Sequence, residues 1–350
     1  MSTNVCLIGH FGGTETFYDG QTIKTQMLEQ ALQLYGPQLR VHKVDTYYYR
    51  KNKLKFLRQL AAGVFSCSRI LVCVSKKGRS AFFPILYVLA KYFHKRVFHS
   101  AIGGKLADEA RENEKTKKYL TAFRKNWVES NLLVEELREL GVGNAEYLPN
   151  FKFLPVLTPE ELPGQIHNPM RCVIFSRVSA EKGVGDAISA VTEINKKRSK
   201  TAVLLDIYGA VQKDFEEELT QSIQNSGQAV RYCGTIEPKE SVAVMKEYDV
   251  LLFPTRRCRL EGIPGTIIDA LSSGVPVIAR RWRYCDEMLS HGVTGYCYDF
   301  DQPQLLGYWL EYALEHRDEL LVMKGNCLRA AQPYYAQTAA PVMVRELLEE

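Results

Sequence analysis

Short apolar, β-rich segments alternate with longer helical patterns along most of this 350-residue chain. The predicted strands cover residues 5–8, 41–44, 70–74, 97–99, 172–175, 202–208, 229–233, 250–254 and 275–279. Alternation of this kind is typical of parallel sheets that carry helices on both faces. The chain is therefore expected to have an α/β fold.

The series of strands restarts near residue 170, after a stretch at 155–169 that is rich in proline and other turn formers. We expect two Rossmann-like, doubly wound parallel-sheet domains, at 1–160 and 161–330, that face each other across a cleft. Ligands of such folds bind at the carboxyl ends of the strands. The remaining residues, 331–350, are predicted to form a helix that packs back on the first domain.

Charge is unevenly distributed between the two halves. The net charge of +5 is the sum of +10 over residues 1–160 and −5 over the remainder, and residues 46–107 contain thirteen Lys or Arg but no Asp or Glu. Such a segment suits an anionic partner: a phosphate carrier, an acidic membrane or a nucleic acid.

Two stretches inside the acid-free segment could meet a membrane. The first is a basic amphipathic stretch in which leucine and phenylalanine are interleaved with Arg50, Lys51, Lys53, Lys55 and Arg58, and we predict that it contacts a membrane or an acceptor. The second, 82–93, could be an interfacial helix, but a buried helix that covers the sheet is favoured because ten apolar residues suit a core helix as well.

The pattern of cysteines and the length of the apolar stretches indicate the cellular compartment. The nine cysteines form no C-x-x-C pair and are interpreted as free thiols in a reducing compartment. The first apolar run is short and no basic region precedes it, so it is interpreted as a strand and not as a signal peptide. The longest apolar stretch, 81–90, is shorter than the roughly 20 residues that a spanning helix needs. A cytoplasmic location is expected.

A glycine-rich loop follows the first predicted strand and includes Gly12 and Gly13. Such a loop can bring backbone N–H groups close to a phosphate, and the helix that follows favours negative charge at its start. The loop lacks the dinucleotide pattern G-x-G-x-x-G, and no acidic ribose ligand is recognised at the end of the next strand, which disfavours an NAD enzyme. Glycines that only turn the chain remain an equal alternative.

The second half carries a more specific set of charged residues. Arg177 and Lys182 follow a predicted strand, where two cations on a tight loop can hold a diphosphate and offset charge on a departing one. Glu261 and Asp269 are eight residues apart, about two helical turns, so both carboxylates could lie along one side of a helix and its preceding loop. Gly262 would let the backbone approach a ligand.

Several segments together resemble the family 4 glycosyltransferases of GT-B fold. They are S-R-V-S-A-E-K-G at 176–183, L-D-I-Y-G at 205–209, Y-C-G-T at 232–235, E-G-I-P-G-T-I-I-D-A-L-S-S-G-V-P-V-I-A at 261–279, D-E-M at 286–288 and G-V-T-G-Y at 292–296, with W-V-E-S at 127–130 and Y-L-P-N-F at 147–151 in the first half. The resemblance is strongest over residues 145–300 and implies a retaining transferase that moves a sugar from a nucleotide diphosphate sugar to an acceptor.

The resemblance also implies roles for individual residues. Arg177 and Lys182 would hold the donor diphosphate, Glu261 would bind hydroxyls of the donor sugar, and Gly262 and Ile263 would offer backbone N–H groups. Asp269 stands where the family usually has a glutamate that binds the ribose.

In the first half, which would bind the acceptor, Gly12 and Gly13 match a loop near the diphosphate. His99 matches a histidine near the reacting sugar, although a histidine at a strand end is more often structural.

The resulting prediction is a hexosyl-transferring, retaining enzyme that needs no metal, since Asp299-Phe300-Asp301 is interpreted as a chance match to a metal motif of another transferase fold. The expected acceptor is a polyprenyl-diphosphate-linked or other lipid-linked saccharide in capsule, O-antigen or exopolysaccharide assembly, with the protein peripheral on the inner face of the membrane. The alternatives are a nucleotide-sugar-modifying enzyme without transfer and a non-catalytic binder of anionic membrane or nucleic acid. No nucleic-acid motif accompanies the basic segment, so nucleic acid is not expected as a partner.

Overall fold

The computed structural model describes residues 3–15, 17, 19–256 and 261–349. The chain divides into two compact units. The first comprises Met1–Phe153 and Pro333–Glu350, and the second is Leu154–Gln332. The second unit thus begins seven residues before the expected boundary at residue 161, and the chain returns to the first unit two residues after residue 331.

The first unit contains a six-stranded sheet with all neighbouring strands parallel, in the order β2-β1-β3-β4-β5-β6. Its strands are β1 (Thr3–Gly9), β2 (Leu39–Asp45), β3 (Arg69–Cys73), β4 (Arg96–Ser100), β5 (Lys125–Val128) and β6 (Ala145–Tyr147). Its helices are α1 (Gly20–Tyr35), α2 (Tyr48–Lys51), α3 (Lys53–Ser66), α4 (Lys76–Tyr92), α5 (Leu106–Glu112), α6 (Glu114–Ala122) and α7 (Asn131–Glu139).

Local chemistry sets the start of α1 and the close packing of α3. The Asp19 carboxylate accepts hydrogen bonds from the backbone N–H groups of Gln21 and Thr22, which otherwise lack partners at a helix start. On α3, a Cβ at Gly63 would lie 2.6 Å from the sulfur of Cys6 in β1. Only glycine therefore allows α3 to approach β1 this closely.

The second unit contains another six-stranded sheet with parallel neighbours, in the order β12-β11-β10-β7-β8-β9. Its strands are β7 (Met170–Phe175), β8 (Val203–Tyr208), β9 (Val230–Tyr232), β10 (Val250–Phe253), β11 (Val277–Arg280) and β12 (Gly295–Tyr298). Its helices are α8 (Val184–Lys197), α9 (Glu216–Asn225), α10 (Ser241–Met245), α11 (Gly265–Ser272), α12 (Cys285–Met288), α13 (Leu305–Glu315) and α14 (Arg317–Ala331).

The last helix, α15 (Ala336–Leu348), belongs to the first unit. Its buried side chains, among them Met343 and Leu347, share a core with α1 and with Trp127 of β5. The indole N–H of Trp127 also donates to the Glu346 carboxylate at 2.8 Å. Apolar burial and a polar contact thus both hold α15 against the first sheet.

All nine predicted strands overlap strands of the structure, and the α/β class with two parallel sheets is confirmed. The strands β5, β6 and β12 were not predicted. Of the eight cysteines that the structure describes, all are free thiols and all but Cys233 are buried. No helix in the described part of the chain is long and apolar enough to cross a membrane.

Candidate functional site at the carboxyl edge of the second sheet

The strongest convergence of predicted site residues lies beyond β7 and β10, which are neighbours in the second sheet. The Lys182 ammonium contacts the Glu261 carboxylate, and both side chains are about 85% buried, with 15% of each exposed. The Thr255 hydroxyl donates to the same carboxylate at 3.3 Å. Two residues that are 79 positions apart in sequence therefore form one charged pair.

Gly183 explains why Lys182 sits beside the end of β10. Its backbone is left-handed, with φ of +71°, and a Cβ at this position would lie 2.1 Å from the carbonyl oxygen of Pro254. Any other residue would push the loop after β7 away from β10. The K-G pair in the sequence thus has a steric explanation, because the glycine lets the lysine reach Glu261.

Arg177 differs from Lys182 in its surroundings. It lies two residues beyond the end of β7 and is exposed. Within the described part of the chain its guanidinium has no hydrogen-bond or ion-pair partner. A cation that is not already engaged can contact an anion without first breaking another interaction.

The segment before α11 is held in place by a hydrogen bond from the loop that follows β11. The Trp282 indole N–H donates to the carbonyl of Gly262 at 2.8 Å, and Ile263 is buried. Asp269 is buried on α11, whereas Glu261 is partly exposed. Both carboxylates are therefore largely shielded from solvent, Asp269 more than Glu261.

An ionic cluster at the same edge was missed in the sequence. Asp186, in the first turn of α8, accepts from Arg256 at 2.5 and 3.1 Å and from Arg280 at 2.9 Å. Arg280 is the last residue of β11 and is buried. The signal in the sequence is the position of these residues. Arg256 closely follows one strand, Arg280 ends another, and Asp186 lies at a helix start.

The glycine-rich loop of the first unit is closed by a carboxylate of its own. Asp45, the last residue of β2, accepts from the backbone N–H groups of Phe11 at 3.0 Å, Gly13 at 2.9 Å and Tyr47 at 2.9 Å. Two N–H groups of the loop are therefore already satisfied, which favours the alternative in which the glycines turn the chain.

Gly12 and Gly13 have left-handed backbones, with φ of +95° and +60°. A Cβ at Gly13 would lie 2.3 Å from the ring of Tyr47. Both conformation and space therefore require glycine at this turn, whatever ligand the loop meets. Asp45 does end β2, where a dinucleotide-binding fold has its acidic ribose ligand, but its carboxylate binds the loop instead.

His99 lies in the interior of the first unit. Its ring is fully buried, its Nδ1 is 3.3 Å from the Asn126 side-chain oxygen, and the ring of Phe83 packs edge-on against it at 5.0 Å. Burial lowers the pKa of His99 well below its usual value, and the charge of Arg79 lowers it further. This placement favours a structural role and does not support the predicted catalytic one.

The W-V-E-S segment also has structural contacts. Ser130 caps α7 by accepting from the backbone N–H of Leu133 at 3.1 Å. Glu129 pairs with Lys24 of α1 at 2.5 Å, and the same ammonium donates to the carbonyl of Ala101 at 2.6 Å. These residues tie α1 to the ends of β4 and β5.

The predicted basic stretch lies on α2 and α3, and all five of its Lys and Arg side chains are exposed: Arg50, Lys51, Lys53, Lys55 and Arg58. Lys51 is 3.6 Å from Glu15, and Lys55 lies over the ring of Tyr48 at 3.7 Å from its centre. Among the described residues no group of three or more His, Cys, Asp or Glu is arranged to hold a metal ion.

Comparison with known proteins gives a family match over the second unit. Residues 165–326 match the model of the glycosyl transferases group 1. The amylovoran biosynthesis glycosyltransferase AmsK of Erwinia amylovora is 26% identical over 141 residues, which are 39% of this chain and 34% of AmsK. The alpha-monoglucosyldiacylglycerol synthase of Streptococcus pneumoniae is 28% identical over 138 residues, 39% of this chain and 30% of that protein. The matches thus span about a third of each curated relative.

Similarity to solved structures extends over almost the whole chain. The Anabaena protein Alr3699/HepE, solved in complex with UDP and glucose, superposes with a TM-score of 0.73 at 14% identity and covers 98% of both chains. The similarity over almost the whole chain confirms the expected GT-B fold, and residues 165–326 resemble the glycosyl transferases of group 1.

Proposed function

We propose that this chain is a glycosyltransferase that moves a hexosyl group from a nucleotide diphosphate sugar to an acceptor hydroxyl, with retention of configuration at the sugar carbon, as in family 4. The observation that carries the proposal is the pairing of Lys182 with Glu261 beyond β7, the same strand that Arg177 follows, where Arg177 is exposed and has no hydrogen-bond or ion-pair partner among the described residues. Cations suit the diphosphate and a carboxylate suits sugar hydroxyls, so one edge of the sheet offers groups for both parts of the donor.

In the proposed reaction, the bond between the sugar carbon and the diphosphate oxygen breaks, and a bond from that carbon to the acceptor oxygen forms on the same face. The acceptor proton goes to an oxygen of the departing phosphate. Arg177 and Lys182 would offset the negative charge that builds on the leaving diphosphate, and Glu261 would position the sugar. No metal is needed in this scheme because the two cations supply the charge.

A protein of similar structure supports the choice of donor. HepE was solved with UDP and glucose and also with UDP-glucose. Gly262 and Ile263 would contribute backbone N–H groups and Asp269 would contact the ribose. Gly12 and Gly13 would lie near the diphosphate, although Asp45 already binds the N–H of Gly13.

The proposed acceptor is a lipid-linked saccharide, such as a polyprenyl-diphosphate-linked one, in the assembly of a surface polysaccharide. The names of the two curated relatives refer to amylovoran biosynthesis and to a glycolipid. The acid-free, basic segment at 46–107 suits an acceptor that carries phosphate at a membrane. We therefore propose a peripheral location on the inner face of the membrane.

The first test is binding of free nucleotides. A ligand that binds only the folded protein raises the melting temperature, so UDP, GDP, ADP and dTDP are compared in the presence of EDTA. At least one nucleotide should stabilise the wild type and stabilise Lys182→Met much less. Lys197→Met is the matched control, because Lys197 also pairs with a glutamate, Glu311, but lies exposed on α8. The absence of a shift with every nucleotide would contradict the proposal.

The second test is transfer itself. A panel of labelled nucleotide sugars is incubated with a polyprenyl-diphosphate-linked acceptor extract, and label in the lipid fraction is measured. Incorporation that requires the lipid-linked acceptor supports the proposal. Modification of the sugar without transfer would indicate a nucleotide-sugar-modifying enzyme instead, and incorporation without lipid would contradict the proposed acceptor.

A further inference from the structure

Two neighbouring helices of the first unit, α3 and α4, carry exposed apolar side chains on their outer surfaces. The helices are in contact, since the rings of Phe56 on α3 and Phe82 on α4 lie 5.9 Å apart. Near their carboxyl ends, the Lys95 ammonium, just after α4, donates to the carbonyl of Cys67, just after α3, at 2.8 Å. The two helices therefore present one continuous outer surface, here called the α3–α4 face.

The inner side of each helix already has its apolar partners. Phe56 and Gly63 of α3 are buried, and so are Phe82, Phe83 and Leu86 of α4. The favoured interpretation of 82–93 as a buried helix is thus correct for the inner side of α4 only.

The outer side is apolar as well. Leu54, Leu57 and Phe65 of α3 are 60%, 57% and 85% exposed, and the α4 segment adds Ile85, Val88, Tyr92 and Phe93. These seven are among the eighteen exposed large hydrophobic side chains in the described part of the chain. Clustered exposure of this kind marks a surface that meets a partner, whereas singly exposed residues need no explanation.

Within each helix the exposed apolar residues recur at helical spacing. Leu54 and Leu57 are three apart on α3, and Ile85, Val88 and Tyr92 follow one another at three and four on α4. This spacing places them along one side of each helix.

Positive charge surrounds this apolar surface. Lys53, Lys55 and Arg58 on α3 are exposed, as are Lys76, Lys77 and Lys91 on α4. No acidic residue occurs between positions 46 and 107, so neither helix carries a carboxylate of its own. From other elements, Glu15 pairs with Lys51 and Glu109 pairs with the buried Arg79. The outer surface therefore combines lysine and arginine with leucine, phenylalanine and tyrosine, without acidic residues in either helix.

We infer that the α3–α4 face docks on an anionic lipid bilayer, with the apolar side chains inserted at the boundary between headgroups and acyl chains and the lysines at the lipid phosphates. This inference specifies the surface behind the proposed membrane location and rests on that part of the proposed function. Amphipathic helices with basic flanks bind membranes in this way. Nucleic acid offers phosphates but gives seven exposed apolar side chains no apolar environment, so it fits only the charged part of the surface.

The test is sedimentation with vesicles of phosphatidylcholine, with or without phosphatidylglycerol, at low and high NaCl. The wild type should bind the anionic vesicles, lose part of that binding as salt rises and keep a salt-resistant remainder from apolar insertion. Binding that is equal on both vesicle types, or that salt abolishes completely, would overturn the inference.

Paired variants distinguish binding through the α3–α4 face from nonspecific hydrophobic adsorption to vesicles. Leu57→Ser, Phe65→Ser and Phe93→Ser combined should weaken vesicle binding at least about tenfold and remove the salt-resistant part. The matched control combines Tyr308→Ser and Val322→Ser, which replace exposed apolar residues of α13 and α14 in the second unit. Equal vesicle binding by both variants would refute the assignment.

Two further measurements keep the outcomes distinct. Stabilisation by UDP in solution should be the same in the wild type and in the variant with serines on the α3–α4 face. A protein that binds vesicles but transfers no sugar would refute the proposed activity and would leave the docking surface unaffected. A wild type that ignores vesicles but binds single-stranded DNA through Lys53, Lys55 and Arg58, or that dimerises through the same residues, would refute the docking surface instead.

Discussion

Lys182→Met should weaken nucleotide binding and Glu261→Gln should not, although the two substitutions remove the two partners of one contact. Without a ligand, the Lys182 ammonium is engaged by the Glu261 carboxylate in a site where only 15% of each side chain is exposed. Hydrogen bonds to charged groups contribute about 1.5–3 kcal/mol. A diphosphate that binds Lys182 must compete for it, and the Glu261 charge opposes the incoming anion.

The Glu261→Gln change keeps the shape of the side chain and removes its charge. Lys182 is then free for the diphosphate, so UDP without a sugar should bind as tightly as to wild type or up to about tenfold more tightly, which corresponds to about 1.4 kcal/mol. Lys182→Met removes a cation from the diphosphate site and should weaken UDP binding about 10- to 100-fold. Transfer from the nucleotide sugar should fall in both variants, because each loses a contact that the donor needs.

Calorimetric titration with UDP and initial rates with the nucleotide sugar measure these effects separately. Both variants should also unfold at a temperature a few degrees lower without ligand, because each loses the same contact and a unit of this size shifts by about 2–4 °C per kcal/mol. The control Lys197→Met should match wild type in all three measurements. Equal weakening of UDP binding by both substitutions would refute the reasoning, because Glu261 would then hold the nucleotide itself.

Other substitutions test the remaining features. Arg177→Ala should reduce stabilisation by UDP and leave the melting temperature of the free protein within about 1 °C of wild type, because this exposed side chain engages no described residue. Asp45→Ala leaves backbone N–H groups of the glycine-rich loop without their acceptor and should lower stability by about 2–4 kcal/mol, measured by urea unfolding. Arg231→Met should destabilise the protein at neutral pH. Burial of Asp206 favours its neutral form, but hydrogen bonds from Arg231 and Tyr248 outweigh burial and lower its pKa below the ordinary 3.8. This contribution is present above pH 3.8 and is lost as pH falls through the lower pKa of the folded state, so the difference between variant and wild type should shrink in acid.

Most strands that the sequence predicts are short and largely apolar, although β2 carries His42 and Lys43 between two valines. Ile70, Leu71 and Val72 of β3 are fully buried on both sides, and such a run has no other simple interpretation. The strands missed are short or mixed. Lys125 and Asn126 begin β5, which has four residues, and β6 and β12 have three and four, so none of the three shows a long apolar run.

At the candidate site the sequence predicts which residues matter better than it predicts what they contact. Lys182 and Glu261 were both named, but nothing in the spacing indicates that they touch, because their contact depends on the approach of Gly183 to Pro254 across two strands. Asp186 and Arg280 were not named, since their pairing joins a helix start to a strand end far along the chain.

The glycine-rich loop shows why a motif alone does not decide between a phosphate site and a turn. In both cases the sequence needs glycines with left-handed backbones, here Gly12 and Gly13, so the residues are the same. The two cases differ in the group that accepts hydrogen bonds from the backbone N–H groups of the loop. In this chain the carboxylate of Asp45 takes two of them and places a negative charge where a phosphate would otherwise bind. The Asp45 carboxylate therefore favours a turn over a phosphate site at this loop, because it occupies two of the N–H donors and its charge would repel a phosphate.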